Sequence, residues 1–342
     1  MKKVGVVFGG KSTEKEISVI SAKTVINNLD KTKYEIYNIF IEEDDWYTCD
    51  GIDNDNNVIN KNKIDNIISF IKEMDTIFPV LHGKYGEDGT IQGMFEMFDI
   101  PYVGCKVLAS SVCMDKVYTK MILEKAGINQ SKYICIKKVK EDYVLISKSL
   151  DEKNTSLSEI VKTASKELNY PIFIKPSRSG SSIGVSSAKN DKELKESIIE
   201  ASKYDNEILL EEGIKGREIE CAVLGNEDVI ASPLGEIIPD EKFYSYDSKY
   251  KNNESKLIIP AEIDKNVSDR IREIAVKAYK AIGCTGLSRV DFFLADDNTI
   301  YLNEINTLPG FTSISMYPML IKEYGIELPR LLDRLIDLSF DK

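Results

Sequence analysis

The sequence predicts an α/β protein of more than one domain, opening on a parallel sheet and turning to mixed, strand-rich segments later. Three observations carry this. Val4-Gly-Val-Val-Phe8 is a short apolar run closed by Gly9-Gly10, and a helical pattern and a second apolar run follow it, the order of a parallel unit. Beyond Glu207 the pattern becomes a succession of strands. The chain has 342 residues, which exceeds one ordinary core.

The elements follow in order. After the first strand, Ile17, Ile20, Val25 and Ile26 recur at helical spacing across 12–29, with Ser12 or Thr13 as the expected cap. A second strand covers 34–41, an Asn/Asp-rich surface loop 50–62, and a third apolar run 76–81 ends at His82-Gly83. Ligands in open parallel sheets sit beyond the carboxyl ends of strands, where both glycine turns lie. A helix is expected over 114–126 and a polar, glycine-free connection over 137–158. Tyr170 to Lys175 reads as a strand feeding the Gly/Ser-rich loop 176–184. Strands are expected at 208–212, 218–224 and 229–233, a helix at 268–282, strands at 288–294 and 300–305, and a helical tail.

Composition excludes several classes. Lys plus Arg number 45 against 56 Asp plus Glu, a net charge of −11 that gives nucleic acid no basic stripe. The six cysteines show no C-x-x-C pair and no zinc spacing, as expected of reduced thiols in the cytosol. Lys2 and Lys3 precede an apolar run too short for a secretory signal. No stretch approaches the roughly 18 to 20 apolar residues of a membrane span, so a cytoplasmic protein without membrane partners is expected.

Gly5 to Ser12 matches the P-loop pattern G-x-x-x-x-G-K-[ST] letter for letter. In a P-loop the residues between the glycines wrap the phosphates, whereas here Val6, Val7 and Phe8 belong to the strand, so a plain turn is the better reading. Lys175 with the loop 177–184 is the stronger phosphate candidate, since Gly180 and Gly184 permit backbone approach and Lys175 and Arg178 bring positive charge. The alternative is a simple linker.

Arg289 and Asp291 alternate on one strand, as Glu304 and Asn306 do on the next, so each pair shares a face. If the strands are neighbours, Asp291, Glu304 and Asn306 converge as hard oxygen ligands suited to Mg²⁺ carried with nucleotide phosphates. Their apolar neighbours Val290, Phe292, Leu302 and Ile305 favour a cleft over a solvated face. The single histidine, His82, sits at a strand end near Glu87, placed for orientation or electrostatics more than for acid–base work.

Taken together and in order, Gly9-Gly-Lys-Ser-Thr-Glu14, His82-Gly-Lys-Tyr-Gly-Glu87-Asp-Gly, Met114-Asp-Lys116, Ile174 to Gly184, Phe243-Tyr-Ser-Tyr-Asp-Ser-Lys-Tyr250, Ser288-Arg-Val-Asp291 and Asn303 to Thr312 resemble the D-alanine–D-alanine ligases of the ATP-grasp superfamily. The resemblance runs from near residue 4 to near residue 325. It implies an ATP-grasp architecture of three domains: an N-terminal Rossmann-like domain over 1–105, a small central subdomain over 106–212, and a C-terminal subdomain over 213–342 with metal and substrate sites. ATP would be gripped between the last two.

The same resemblance implies roles. Lys116, Lys175 and Ser182 would hold ATP phosphates, Glu211 and Glu218 would border the nucleotide, with Glu218 at the ribose, and Lys249 would reach the γ-phosphate. Asp291, Glu304 and Asn306 would hold two Mg²⁺, with Mn²⁺ able to substitute. Glu14 would take the first D-alanine's ammonium and hydrogen-bond with Ser181 and Tyr250. His82 and Glu87 would line the substrate site, Arg289 and the Gly310 amide would form an oxyanion hole, and Ser315 would bind the second carboxylate. Met316 would favour D-alanine as the second substrate over D-serine. A closing lid is expected around 244–253. The implied protein is a cytoplasmic homodimer that supplies peptidoglycan precursors from ATP and D-alanine. Two readings compete: a D-alanine–D-serine ligase of the glycopeptide-resistance type, and a nucleotide-binding sensor without catalysis, which would be expected to lack Arg289 or a metal ligand.

Overall fold

The computed structural model describes residues 1–180, 182–238 and 256–341, and among these the strands form three principal sheets. In the first, strand Lys2–Gly9 lies between Tyr34–Glu42 and Thr76–Val80 and is parallel to both. Val4, Val6 and Phe8 face one core and Val7 the other, so the strand is apolar on both sides, as a parallel sheet requires. It ends because Gly9 and Gly10 have φ of +95° and +93°, and a Cβ on Gly9 would meet the Ile41 carbonyl oxygen at 2.4 Å.

The following helix, Lys15–Asn28, starts later than its sequence pattern. Neither Ser12 nor Thr13 caps it. The Ser12 hydroxyl donates to the His82 carbonyl at 2.7 Å, and Glu14 takes the cap position without a side-chain cap bond. Ser18 on this helix accepts from the Gly9 amide at 2.8 Å and donates to the Val80 carbonyl, locking helix to sheet where two strands end.

The second sheet is antiparallel, ordered Glu152–Thr155, Asp142–Ile146, Tyr133–Val139, Glu207–Glu212, Ile172–Pro176, Ser186–Ala188. Helices Leu157–Glu167 and Asp191–Ala201 cover one face through Ile160, Ala164, Leu194 and Ile198. The polar stretch 137–158, expected as a connection, supplies instead the end of strand Tyr133–Val139, the interior strand Asp142–Ile146, the edge strand Glu152–Thr155 and the start of a helix. The edge strand Glu152–Thr155 is polar and largely exposed, whereas Asp142–Ile146 buries Tyr143 and Val144.

The third sheet is also antiparallel, ordered Lys256–Ile258, Ile230–Ile238, Gly216–Leu224, Leu287–Ala295, Ile300–Asn306. Helix Lys265–Ile282 packs on it through Ile271, Ala275, Ala278 and Ile282, a 3–4 spacing that makes one apolar stripe. Asp264 caps its start by accepting from the Asn266 amide at 2.9 Å, and Gly283 ends it in the left-handed region. Helices Met316–Glu323 and Leu328–Leu338 join the other face to the core of the first sheet. No helix of the described residues is long and apolar enough to cross a membrane. All six cysteines are free thiols.

Candidate active site

A cleft of about 700 Å³ opens where the three sheets meet. Its lining includes Glu14, His82, Glu87, Lys116, Lys175, Gly180, Ser182, Glu211, Glu218, Arg289, Glu304, Asn306, Gly310, Ser315 and Met316, all named from the sequence. Asp291 lies in a recess beside Glu304. Ser181, Lys249, Tyr250 and the expected lid around 244–253 fall outside the described residues.

The acidic wall is built by strand register. Asp291 stands opposite Glu304 and Arg289 opposite Asn306 on adjacent antiparallel strands, so all four side chains project to one face. Arg289 donates from Nε to Asp291 Oδ1 at 2.8 Å and from Nη2 to Asp291 Oδ2 at 2.7 Å, while its Nε also lies 2.9 Å from Glu220 Oε2. Asn306 Nδ2 donates to Asp291 Oδ2 at 2.9 Å. Burial opposes the Arg289 cation, yet Asp291 and Glu220 hold it well above its ordinary value. It stays a cation in the cleft.

The opposite wall carries lysines. Asp115 caps helix Lys116–Lys125 by accepting from the Val117 and Tyr118 amides, and it accepts from Ser177 Oγ at 2.6 Å. The Lys116 amide donates to the Ser177 carbonyl at 3.1 Å and Lys116 Nζ to the Ser179 carbonyl at 2.5 Å, so this helix start and the Gly/Ser loop are one unit. Burial lowers the Lys116 pKa, with Glu304 acting against the shift. Lys175 Nζ lies 2.5 Å from Glu211 Oε2. Burial alone would raise the Glu211 carboxyl, but Lys120 and Lys175 hold it well below the usual range.

The third wall comes from the ends of the parallel strands. A Cβ on Gly83, whose φ is +68°, would sit 2.6 Å from Glu14 Oε2, and one on Gly180 would sit 3.5 Å from the same oxygen. Glu14 therefore lies where the His82-Gly83 turn and the Gly/Ser loop meet. The Gly83 amide donates to Glu87 Oε2 at 2.8 Å. Burial, followed by the Glu14 charge, pushes the Glu87 carboxyl up to about 8. Burial brings His82 down to about 4, so it is a neutral imidazole at physiological pH, in keeping with a role in orientation. Its Nε2 is 3.4 Å from Ser21 Oγ, which accepts from the Phe311 amide at 3.2 Å, next to Gly310. Ser315 Oγ accepts from the Thr312 amide at 2.9 Å. Met316 is 4% exposed and pinned over Gly235, where an added Cβ would lie 2.5 Å from its Cε.

Four side chains in or behind this site were not singled out in the sequence. Lys120 stands one helical turn after Lys116, a spacing that placed it on the same face, and Glu220 alternates with Glu218 opposite Asp291. Ser131 and Ser21 gave no local signal. The P-loop reading fails on geometry: Gly5 to Phe8 lie inside the strand, and Lys11 pairs with Asp44 at the surface. Lys11→Ala is expected to leave nucleotide affinity unchanged while Lys175→Ala weakens it severely; equal losses from the two in a binding titration would restore the P-loop.

Comparisons with known proteins converge on one family. The model described as D-ala D-ala ligase N-terminus matches residues 3–105, and that described as D-ala D-ala ligase C-terminus matches residues 122–337. The chain is 46% identical to the D-alanine–D-alanine ligase of Acetivibrio thermocellus, covering 100% of this chain and 96% of the relative. It is 47% identical to that of Clostridium acetobutylicum, with 99% and 98% covered. Among solved structures, the VanG D-Ala:D-Ser ligase of Enterococcus faecalis superposes with a TM-score of 0.85 at 38% identity over 99% of both chains. The D-alanine–D-alanine ligase of Coxiella burnetii gives 0.81 at 32% identity, over 99% of this chain and 93% of that one.

Proposed function

We propose a role for each wall of the cleft on one premise: this chain belongs to the D-alanine–D-alanine ligase family, an ATP-grasp family. It is an enzyme that joins two D-alanines. The observation that carries the residue assignment is the convergence of a lysine wall, an acidic wall and a glycine-turn wall on one cleft. A carboxylate resists attack by an amine, so activation must precede joining. Lys116, Lys175 and Ser182 hold ATP phosphates, Glu211 and Glu218 border the nucleotide, and phosphoryl transfer to the first D-alanine gives an acyl phosphate with a good leaving group. Glu14, under the glycine turn, pairs with the first D-alanine's ammonium. The second D-alanine, held by Ser315 and oriented by His82 and Glu87, attacks the acyl carbon, and Arg289 with the Gly310 amide stabilises the oxyanion.

The acidic wall suits magnesium. Asp291, Glu304 and Asn306 offer two carboxylates and an amide, all hard oxygen donors. Among the described residues no three His, Cys, Asp or Glu side chains form a metal centre, so the ions would draw further ligands from phosphate and water. Bound there, two Mg²⁺ would neutralise charge on the transferring phosphoryl group.

D-alanine is the second substrate in this reading because buried Met316 gives that end of the cleft an apolar wall. The likeness to the VanG D-Ala:D-Ser ligase favours the other reading, D-serine. The deciding experiment measures phosphate release from ATP and Mg²⁺ with D-alanine alone and with D-alanine plus D-serine, identifying the dipeptides by mass. D-alanyl-D-alanine as the main product is expected. D-alanyl-D-serine would overturn the specificity assignment and leave the chemistry intact. A cytoplasmic homodimer serving peptidoglycan synthesis completes the proposal.

A further inference from the structure

Glu211 is held by two lysines at once. Lys120 Nζ lies 2.5 Å from its Oε1 and Lys175 Nζ 2.5 Å from its Oε2. Ser131 Oγ donates to Glu211 Oε1, and Lys120 Nζ donates to Ser131 Oγ at 3.2 Å. Such a cluster is costly to bury, and one lysine would already balance the carboxylate. The two lysines differ in access. The Lys120 side chain is 4% exposed, stands 5.2 Å from the Tyr133 ring and does not line the cleft. The Lys175 side chain is 18% exposed and does line it. One lysine is fixed and the other faces the ligand.

We propose that Lys120 is a positioning residue: it keeps Glu211 paired when Lys175 leaves that carboxylate for the nucleotide phosphates. The proposal rests on the assignment of Lys175 to ATP phosphates. With Lys120 present, the departure of Lys175 leaves a buried ion pair. Without it, the same movement leaves a buried carboxylate with no cation, held only by the Ser131 hydroxyl, so Lys175 stays on Glu211 and phosphate binding weakens. Lys120→Met leaves Glu211 and Lys175 as a balanced pair.

The test is calorimetric, on the full-length enzyme, with adenosine and with the magnesium complex of a non-hydrolysable ATP analogue. The readout is the ratio of the two affinities, which isolates the phosphates from the base. Lys120→Met is expected to lower the preference for the triphosphate by about tenfold or more, while Lys120→Arg keeps it near wild type. The double variant Lys120→Met/Glu211→Gln removes the charge that holds Lys175 and is expected to show the same preference as Glu211→Gln alone. Equal losses for adenosine and the analogue, no loss, or a further fall in the double variant below Glu211→Gln would each overturn the proposal. Should Lys120→Met alone be insoluble, the pair decides: a ratio in the double variant equal to that of Glu211→Gln supports the proposal and a tenfold fall below it overturns it. Lys175→Met is the control. If it loses no triphosphate preference, the assignment of Lys175 to phosphate fails and takes this proposal with it; a loss there but none in Lys120→Met sinks the Lys120 proposal alone.

Discussion

Replacing Arg289 by alanine is expected to lower kcat by about two to three orders of magnitude, the usual cost of one oxyanion donor, with a smaller change in KM for ATP. Arginine presents five N–H donors in a rigid fork. The bonds to Asp291 use Nε and Nη2, which fixes the guanidinium plane beside Glu220. A lysine keeps the charge but lacks the fork, so Arg289→Lys should recover only part of the loss. The alanine variant also takes the cation from buried Asp291, and breaking such a pair costs about 3–5 kcal/mol of stability in comparable sites. The two effects separate by experiment. Thermal unfolding reports the lost pairing, and kcat measured well below the lowered midpoint reports the lost donor. A kcat within tenfold of wild type at a temperature where the variant is folded would remove Arg289 from the oxyanion hole.

Most of this site was legible because its signals are local. Two-residue alternation placed Arg289 with Asp291 and Glu304 with Asn306, and the register sets the two pairs opposite each other. Gly9 and His82 mark strand ends in sequence as they do in space. What escaped depends on distant partners. Glu211 gains its two lysines from segments 91 and 36 residues earlier in the chain, and Ser21 reaches Phe311 across 290 positions. The helix cap failed for the same reason, because Ser12 is engaged by the His82 carbonyl, a group no window around residue 12 contains. In 137–158 the edge strand Glu152–Thr155 is polar and exposed, and Asp142–Ile146 has only four apolar residues between charged flanks, so overall polarity does not separate these strands from a connection.

Glu304→Gln tests the other half of the chemistry. The swap keeps the side chain's shape and one oxygen while removing the negative charge opposite Asp291. Mg²⁺ is a hard cation that takes carboxylates in preference to amides at such sites. Even partners one layer out from a metal cost about 10–100-fold when mutated, so loss of a direct ligand should lower turnover by about two orders of magnitude or more. Glu304 also acts on Lys116 and Arg289, in each case favouring the charged form. Its removal therefore changes the lysine wall as well as the acidic one, and activity alone would confound the two. Direct Mn²⁺ titration by electron spin resonance, with the non-hydrolysable ATP analogue present, separates them. A metal role predicts weaker Mn²⁺ binding and partial recovery of turnover at high Mg²⁺. Unchanged Mn²⁺ binding with depressed turnover would reassign Glu304 to the electrostatics of Lys116 and Arg289. Turnover near wild type would end the case for metal at this wall.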